Sequence, residues 1–390
     1  CIMLAMYQAL AEKSGYSKDR ISATPQNDIL KEMIGRGAWI FPVDHAVRLV
    51  GDTIEYSMKA LPRCNPVSIC GYHIRESGAT PSQEIACALE IAKSYIENVT
   101  ARGIDAGDFV GRFSFNLNVF GNLWEQICKF RAARKLWARM LRNEYGIQDK
   151  KKLFLRGLFG GGGSGLTKEQ PENNIMRSAF YALGAALSGA QTTALCSFDE
   201  AYTIPTPRAA LLSLRTLEII MDEVGLRDTV DPLAGSYFIE TITKQMEDKI
   251  QEEMRAIQQI GGMIHSVSSG YIQRKVAQQA YEYEKGLQSG EYVKIGLNKY
   301  TDDDIEGPDV ELHEHNEAWV ETQIKALQDL KTTRNNPAVA RTLKELEKGT
   351  RQGDNVMPLL VNCCREYATV GEMTTILRDV FGEWQEPGIL

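Results

Sequence analysis

One short stretch of the sequence brings together side chains of four different chemistries. Residues 66–70 (PVSIC) are typical of a short strand, and Tyr72, His73, Arg75 and Glu76 follow it directly. A phenol, an imidazole, a guanidinium and a carboxylate can bind polar ligands and move protons. The next residues predict a turn and then a helix, so these groups would lie at the carboxyl end of the strand, within half of a β–α unit.

His73 has the widest range of chemistry among these side chains. A lone histidine is more often a satisfied core or surface group, but its place at a strand tip, beside Tyr72 and Glu76, favours a functional role. It could hydrogen-bond a substrate carbonyl or take part in proton transfer. No second histidine lies at ligand spacing from it, so the sequence indicates no catalytic metal site.

Three arginines and a glycine run are further candidates. Arg36, Arg63 and Arg112 flank three different predicted strands. Singly, each is typical of a solvated surface charge; on one face of a barrel they would suit a phosphorylated carrier or a carboxylate. The glycines at 160–163 lack the Lys-Ser/Thr that follows a phosphate-binding loop. They indicate either a flexible linker or a close approach of the backbone to a large ligand.

The elements that would position these residues alternate between strands and helices. Five strand–loop–helix units recur at intervals of roughly forty residues, which predicts a parallel sheet. Gln26, His73, Ser114, the glycine run and Glu200 each follow a predicted strand. Such loops share one face in a (β/α)8 TIM barrel, whereas the GxGxxG of a Rossmann-like open sheet does not occur after a strand. We expect an α/β fold: the C-terminal five units of a TIM barrel, then a C-terminal helical segment.

The alternation of strands and helices ends after residue 207, where long helices begin. The acidic stretch 301–308 is typical of a solvated linker. We therefore expect a barrel domain over residues 1–300, and a linker with a helical segment over 301–390. The chain opens directly on an apolar helix without a start methionine or a signal-peptide pattern, so we interpret it as part of a larger protein with a preceding N-terminal portion.

Composition argues against several classes of protein. The chain has 390 residues, is 43% hydrophobic and carries a net charge of −7. Its basic residues are interspersed with acids, which gives no support for binding to nucleic acid or a membrane surface. No apolar run is long enough to span a membrane. The eight cysteines show no CxxC spacing, which indicates reduced thiols and a cytoplasmic location.

Several further stretches, together with the one around His73, resemble the large subunit of the methylmalonyl-CoA mutase family. The match is collinear over about the first three hundred residues, so it is far more specific than any single motif. The stretches that carry it are QNDILKE at 26–32, SICGYHIRESGAT at 68–80, RFSF at 112–115, KFRAARKLWA at 129–138, QPENNI at 170–175, DEA at 199–201, DTVDPLAGSY at 228–237 and NKY at 298–300.

The resemblance implies a (β/α)8 barrel that threads a CoA thioester through its axis. The thioester would meet adenosylcobalamin at the carboxyl face of the strands, of which this chain would supply the last five. The activity implied is a radical rearrangement of the carbon skeleton of a branched acyl-CoA, begun by homolysis of the cobalt–carbon bond. The cofactor supplies the hard chemistry, while the protein positions the substrate and excludes water.

The resemblance also implies roles for individual residues. His73 would hydrogen-bond the thioester carbonyl, with Tyr72 beside it in the pocket. Gln26, with Thr24 next to it, would contact the acyl part, and Arg36 would face a substrate carboxylate. The remaining implied contacts are Arg63, Arg112, Phe113 and Ser114 with CoA, and Glu76, Gly163 and Glu200 with adenosine and corrin.

Two departures from the family pattern bear on the substrate. Residues 158–164 read LFGGGGS where the methylmalonyl enzymes have a polar His-x-Gln-Thr-Ser-Gly-Trp loop, and residues 192–196 read TTALC where they have Ser-Leu-His-Thr-Asn. This less polar site favours another branched or hydroxylated acyl-CoA, such as 2-hydroxyisobutyryl-CoA. Arg36 favours an acyl group with a free carboxylate, such as methylmalonyl-CoA.

The family's Asp-x-His-x-x-Gly motif, which supplies the lower cobalt ligand, does not occur: none of the five histidines has Asp two residues before it. We therefore expect a separate small cobalamin-binding subunit, a hetero-oligomer, and no direct metal ligand in this chain. Two alternatives stay open. The chain could be a non-catalytic partner subunit of such a mutase, or a cobalamin-independent barrel lyase or isomerase that uses His73 as an acid or base.

Overall fold

The computed structural model of the chain describes residues 1–301 and 310–388. It confirms the predicted α/β class with parallel strands. Apart from Thr301, the predicted linker at 301–308 lies outside the described residues. None of the helices within the described ranges is long and apolar enough to cross a membrane.

The strands are β1 (Ser22–Ala23), β2 (Arg63–Cys64), β3 (Ser68–Cys70), β4 (Ser114–Val119), β5 (Arg156–Gly161) and β6 (Thr192–Ala194). The helices are α1 (Ile2–Lys13), α2 (Ile29–Gly35), α3 (Val43–Ala60), α4 (Gly71–Glu76), α5 (Pro81–Thr100), α6 (Leu123–Tyr145), α7 (Asn173–Leu187), α8 (Pro207–Asp222), α9 (Tyr237–Gln259), α10 (Gly262–Ser268), α11 (Tyr271–Ser289), α12 (Glu317–Thr333), α13 (Asn336–Gln352), α14 (Val356–Arg365) and α15 (Val370–Phe381).

The described strands are parallel and stand side by side in chain order. β1 pairs with β2, and β3, β4, β5 and β6 pair successively. Two backbone hydrogen bonds join these groups: Asn65 N donates to Ala23 O at 2.8 Å, and Ser68 N donates to Pro25 O at 3.0 Å. β2 and β3 thus act as one interrupted strand. The order does not reverse within the described strands, unlike that of a doubly wound open sheet.

The two faces of strand β4 have different surroundings. One face packs against the helices, and the other, called the inner face, points away from them. Phe115 is buried on the helix side, where its ring centroid lies 5.1 Å from that of Trp137 on α6. Successive side chains of a strand point to opposite faces. Asn116 and Asn118 therefore point to the inner face, which is polar along this strand.

The segment after β3 differs from the predicted turn. It forms the short helix α4, so Tyr72 and His73 lie in the first turn of a helix rather than in a loop. The next helix, α5, begins with a capping box: the Thr80 hydroxyl accepts a hydrogen bond from Gln83 N, and the Gln83 side chain accepts one from Thr80 N. This cap fixes where α5 begins and so separates the two helices.

Three other strand predictions need correction. β4 begins at Ser114 after two 3₁₀ turns, so Ser114 starts a strand instead of following one. β5 includes the first two glycines of the run, because β4 pairs with both of them and β6 pairs with Gly160. The sequence of residues 291–297 is also typical of an edge strand, but this part of the described chain holds only one isolated bridge, and Gly296, with φ of 82°, turns the chain there.

The C-terminal helices enclose a second hydrophobic core together with the first helices of the chain. The last helix that the sequence predicts spans residues 336–347; beyond it, the chain continues α13 to Gln352 and then forms α14 and α15. Leu360 and Leu377 from these helices are buried together with Leu4 of α1 and Leu49 of α3. Apolar burial therefore holds the C-terminal helical segment against the start of the chain.

An ion pair in this C-terminal layer is expected to make it sensitive to acid. Arg334 donates to both carboxylate oxygens of Glu372, at 2.6 and 2.8 Å, and this lowers the pKa of Glu372 to about 2. A depressed pKa stabilises the fold above the unfolded value of about 4.3 and loses that effect as the pH falls towards 2. Glu372→Gln, which can keep the capping box with Thr369, should lower stability by about 1–3 kcal/mol at neutral pH.

The measurement is the melting temperature of wild type and variant as a function of pH. The difference between them should be full at pH 6 and vanish near pH 2. Glu347→Gln is the control, because Glu347 pairs with Arg351 on an exposed surface and such pairs contribute little. A difference between wild type and Glu372→Gln that does not change with pH would contradict this assignment.

Candidate active site

The carboxyl ends of the strands bring seven of the predicted site residues to one end of the sheet. This is the end at which α/β barrels build their active sites. The seven are Gln26 after β1, Arg36 at the end of α2, Tyr72, His73 and Glu76 on α4 after β3, Gly163 after β5, and Glu200 after β6.

Asp28 fixes the position of α2 against the end of β3. Its carboxylate is fully buried and accepts hydrogen bonds from Cys70 N at 2.9 Å, Lys31 N at 3.3 Å and the Tyr95 hydroxyl at 2.5 Å. Asp28 is also the N-cap residue of α2. Burial raises its pKa to about 6. These bonds hold the first turn of α2 next to the first turn of α4.

A buried lysine joins three of the predicted site residues. The Lys31 side chain has 0% exposure, and its Nζ lies 2.8 Å from Nδ1 of His73 and 2.9 Å from Oε1 of Gln26. Glu32 Oε1 lies 2.5 Å from the same Nζ, and Glu32 Oε2 lies 3.7 Å from Nε of Arg36. His73, Gln26 and Arg36 are thus connected through one lysine–glutamate pair.

The surroundings of His73 keep its imidazole neutral near pH 7. Burial and the positive charges of Lys31 and Arg36 lower its pKa to about 4, against a smaller opposing effect of Glu32. A neutral imidazole donates a hydrogen bond from one ring nitrogen and accepts one at the other. His73 is therefore suited to hydrogen-bonding a carbonyl oxygen, and is not an imidazolium acid at that pH.

Tyr72 lies between His73 and the glycine run. Its ring stands perpendicular to the His73 imidazole, with centroids 5.5 Å apart. Its hydroxyl donates to Gly161 O at 3.3 Å and lies 3.5 Å from Cys196 Sγ. A Cβ added at Gly160 would lie 3.2 Å from the Tyr72 ring. Burial raises the pKa of Tyr72, so this pocket wall is a neutral phenol.

Two carboxylates flank the bare backbone of the glycine run. Glu76 accepts hydrogen bonds from Ser164 N at 2.8 Å, Ser164 Oγ at 3.1 Å and Asn118 Nδ2 at 2.5 Å. A Cβ added at Gly163 would lie 3.3 Å from Cγ of Glu200 and 3.4 Å from Oε2 of Glu76. Burial and the Glu76 carboxylate raise the pKa of Glu200. This edge can accept hydrogen bonds from a large ligand that lies over the backbone.

The three candidate arginines do not share one face. Arg36 lies at the carboxyl ends of the strands, where it is the C-cap residue of α2. Arg63 begins β2, and Arg112 precedes β4, so both lie at the amino ends. Ser114 is the first residue of β4 and lies there too. Arg63, Arg112 and Ser114 therefore lie at the start of their strands. The length of a strand separates them from His73.

Two of the predicted CoA contacts already have partners within the fold. The Arg112 guanidinium donates to backbone carbonyls within residues 57–64 at 3.1–3.4 Å. Phe113 is buried, with its ring centroid 5.7 Å from that of Phe109. On the same side of the sheet, the exposed Thr24 accepts a hydrogen bond from Asn65 at 2.9 Å. Asn65 comes directly after Cys64, to whose carbonyl Arg112 donates at 3.2 Å. Arg112 and Phe113 therefore stabilise the fold at the amino ends of the strands: Arg112 binds the backbone of residues 57–64, and Phe113 packs in the core.

Three further residues contact the site, although their sequence context does not mark them individually. Lys31 lies in a stretch that also contains the buried Leu30 and Met33, which gives no local sign of a polar site. Its only distinguishing feature in the sequence is that it belongs to the QNDILKE stretch. Asn118 could have been found as an amide on a buried strand. Lys294 donates from Nζ to Ser164 O at 3.0 Å, a distant contact that no local pattern shows.

The chain forms parallel β–α units with imidazole, amide and carboxylate groups at the carboxyl ends of the strands. This is the arrangement found in α/β-barrel enzymes. The sequence profile of the methylmalonyl-CoA mutase family matches residues 1–383. The 2-hydroxyisobutanoyl-CoA mutase large subunit of Aquincola tertiaricarbonis is 36% identical over 99% of this chain and 68% of its own length. The methylmalonyl-CoA mutases of Rhizobium meliloti (strain 1021) and Homo sapiens are 35% and 34% identical, over 98% of this chain and 54% and 51% of their own lengths.

The chain therefore belongs to the methylmalonyl-CoA mutase family, as the sequence stretches predicted. The relatives named here are mutases, which are isomerases. The chain spans about two thirds of the first relative and about half of the other two.

Proposed function

We propose that this chain supplies the acyl-binding part of the catalytic subunit of an adenosylcobalamin-dependent acyl-CoA mutase. Such an enzyme rearranges the carbon skeleton of a branched acyl-CoA by an intramolecular 1,2-shift. The observation that supports this best is the inner face of the sheet. Its side chains are small and polar, and they extend from the amino ends of the strands, where CoA is predicted to bind, to His73.

The inner face differs from the core of an ordinary TIM barrel, which is filled by layers of branched apolar side chains. In register, Ser68 of β3 lies beside Ser114 of β4. Cys70 lies beside Asn116, whose Oδ1 is buried and meets no hydrogen-bond partner among the described residues. Small polar side chains at these positions leave more room for an extended ligand along the strands than branched apolar side chains would, as a CoA arm requires.

At the carboxyl end, the acyl group would meet His73, Gln26 and Tyr72. Neutral His73 donates a hydrogen bond to the thioester carbonyl, where charge builds during the rearrangement, and this favours the transition state. Gln26 holds the acyl group from the side of β1. The Tyr72 ring packs against the reacting carbons and keeps water out.

The residues at the glycine run fit adenosylcobalamin. Residues 160–163 present no side chain that would obstruct a broad flat ring, and Glu76 and Glu200 provide acceptors for adenosine hydroxyls. When bound, the cofactor supplies radical chemistry through homolysis of its cobalt–carbon bond. Glu76, Gly163 and Glu200 would hold and orient it.

Filling the glycine run should damage this part of the site. A Cβ at Gly162 would lie 2.6 Å from Glu76 Oε1 and from Phe120, and closer still to Asn118. Gly162→Ala is therefore expected to displace Glu76, to weaken adenosylcobalamin binding by at least tenfold, and to cost about 1–3 kcal/mol of stability through overpacking.

The measurement is an equilibrium titration of the complete protein with adenosylcobalamin. Gly371→Ala is the matched control, because a Cβ at Gly371 on α15 meets nothing within 4 Å and alanine favours a helix. Unchanged cofactor affinity in Gly162→Ala would remove the glycine run from the proposed cofactor site.

Arg36 bears on the substrate. Methylmalonyl-CoA offers a free carboxylate to an arginine, whereas 2-hydroxyisobutyryl-CoA does not. Arg36 is exposed and its charge is partly used by Glu32, at 3.7 Å. Beside Tyr72 and Gly161, the pocket wall is apolar at Leu195 and a neutral thiol at Cys196, whose pKa burial raises to about 11. We therefore favour a hydroxylated acyl group such as 2-hydroxyisobutyryl over methylmalonyl.

The complete protein would contain a closed barrel and a second, smaller subunit. Five strand–helix units need three more to close a (β/α)8 barrel, so residues 1–300 would form the larger part of a barrel domain, and residues 301–390 a linker and helical segment. A separate small subunit would bind the corrinoid and form a hetero-oligomer, as the words "large subunit" in one relative's name suggest. All eight cysteines carry free thiols, which fits a cytoplasmic protein.

Dependence on the cofactor tests this proposal. The complete protein, with its small subunit, is incubated with each of the two acyl-CoA thioesters, with and without adenosylcobalamin, and products are separated by liquid chromatography and mass spectrometry. We expect an isomer of equal mass only when the cofactor is present. Turnover without the cofactor would indicate a lyase or isomerase that uses His73 as an acid or base. No turnover under any condition would indicate a non-catalytic partner subunit.

A further inference from the structure

The buried Lys31 has a hydrogen-bonding pattern that determines the state of its neighbours. Its ammonium group has three N–H donors and no acceptor. The three acceptors within reach are Gln26 Oε1 at 2.9 Å, His73 Nδ1 at 2.8 Å and Glu32 Oε1 at 2.5 Å. All three donors are thus used, and none is left for another group.

This pattern leaves one choice for the proton on His73. Because an ammonium cannot accept a hydrogen bond, Nδ1 of His73 must be the acceptor and carries no proton. A neutral imidazole then has its proton on Nε2. The same reasoning applies to Gln26: Lys31 takes its carbonyl oxygen, so its amide N–H groups are the ones left to face the pocket.

We propose that Lys31 is a positioning residue that fixes His73 in the Nε2–H tautomer and turns the Gln26 amide nitrogen towards the acyl group. Both side chains then present N–H donors to the thioester. This inference rests on the proposed function for the identity of the ligand, although the tautomer itself does not depend on it. A preset donor costs no reorganisation when charge develops on the carbonyl.

The charged groups around His73 agree with this role. Lys31, Glu32 and Arg36 face it from α2, and the Asp28 carboxylate lies behind Cys70 at the end of β3. Cys70 Sγ lies 3.5 Å from Nδ1 and is a weaker partner than the ammonium at 2.8 Å. Removing the Lys31 charge would free Nδ1 and let the pKa of His73 move back towards its usual value.

The experiment reads the ring nitrogens of His73 directly. The complete protein is labelled with ¹⁵N-histidine, and the His73 signals are identified by their loss in His73→Gln. We expect the wild type to show an unprotonated Nδ1 and a protonated Nε2 between about pH 5 and pH 9. Lys31→Met should show a mixture of tautomers and should begin to titrate at a higher pH than the wild type, and it should lower kcat by about tenfold for one misplaced donor, equal to about 1.4 kcal/mol.

Two further variants separate positioning from folding. Lys31→Arg keeps a donor without an acceptor and should restore the wild-type tautomer. Lys59→Met removes an exposed lysine that pairs with Glu55 and should change neither signal nor rate. A protonated Nδ1 in the wild type would overturn the inference, even if Lys31→Met fails to fold, as would unchanged His73 signals in Lys31→Met. The wild-type tautomer without any isomerisation would support the positioning and count against the proposed function.

Discussion

Replacing His73 by alanine is expected to lower kcat for acyl-CoA isomerisation by about 10²–10³-fold, the usual effect of losing one donor to a developing oxyanion. The KM for the acyl-CoA should change little, because the predicted CoA contacts Arg63 and Ser114 lie at the other end of the strands. Steady-state kinetics of the complete protein measure both constants.

The fold should survive this substitution at a modest cost. Lys31 loses one of its three acceptors, so stability should fall by about 1–3 kcal/mol. His73→Gln, which retains an N–H donor, should recover part of the rate. His265→Ala on the exposed side of α10 is the control and should leave the rate unchanged. An unchanged kcat in His73→Ala would remove this residue from the mechanism.

Replacing Lys129 by methionine is expected to destabilise the protein by about 3–5 kcal/mol, because it leaves an uncompensated charge in the core. Lys129 and Glu84 are both 0% exposed, with Nζ 2.7 Å from Glu84 Oε2 and 2.6 Å from Asn118 O. Glu84 Oε1 also accepts a hydrogen bond from Asn118 N at 2.6 Å. The pair thus anchors the end of β4, where Asn118 holds Glu76.

Urea unfolding followed by tryptophan fluorescence measures this effect, since Trp137 lies buried on the same helix. The control on α6 is Lys135→Met. Lys135 is 48% exposed, and its partner Glu247 keeps Arg139 at 2.8 Å, so the loss should stay below about 1 kcal/mol. The double variant Lys129→Met/Glu84→Gln should recover part of the loss, because no charge is left alone. Equal costs for Lys129→Met and Lys135→Met would contradict the assignment of a buried pair.

The periodicity of the sequence predicted most elements of the fold, because local propensity and burial agree there. The pattern of apolar residues and caps predicts helices over 29–35 and 123–145, and α2 and α6 have these bounds. The sequence around His73 predicts a turn, whereas the structure has the helix α4. Six residues are too few to show a helical periodicity of apolar residues, and so short a helix depends on packing against its neighbours. Ser114 was assigned to the wrong end of its strand because the 3₁₀ turns before it also contain alternating apolar residues.

The candidate site was partly predictable for the same reason. His73, Tyr72 and Glu76 share one segment, so a strand end and its polar residues indicated them together. The role of Lys31 depends on a contact between α2 and α4 that spans 42 residues. Lys294 reaches Ser164 across 130 residues. Contacts of this kind depend on tertiary packing, which a window of sequence does not contain.

The most direct test of the account follows the carbon skeleton itself. 2-Hydroxyisobutyryl-CoA and methylmalonyl-CoA are prepared with ¹³C at both the thioester carbonyl and a methyl carbon, which are not bonded to each other in the substrate. After incubation of the complete protein with adenosylcobalamin, the product of one of them should show a new one-bond ¹³C–¹³C coupling, because the carbonyl group has moved to the methyl carbon. A product without that coupling, or one that has lost water, would contradict a 1,2-shift at this site.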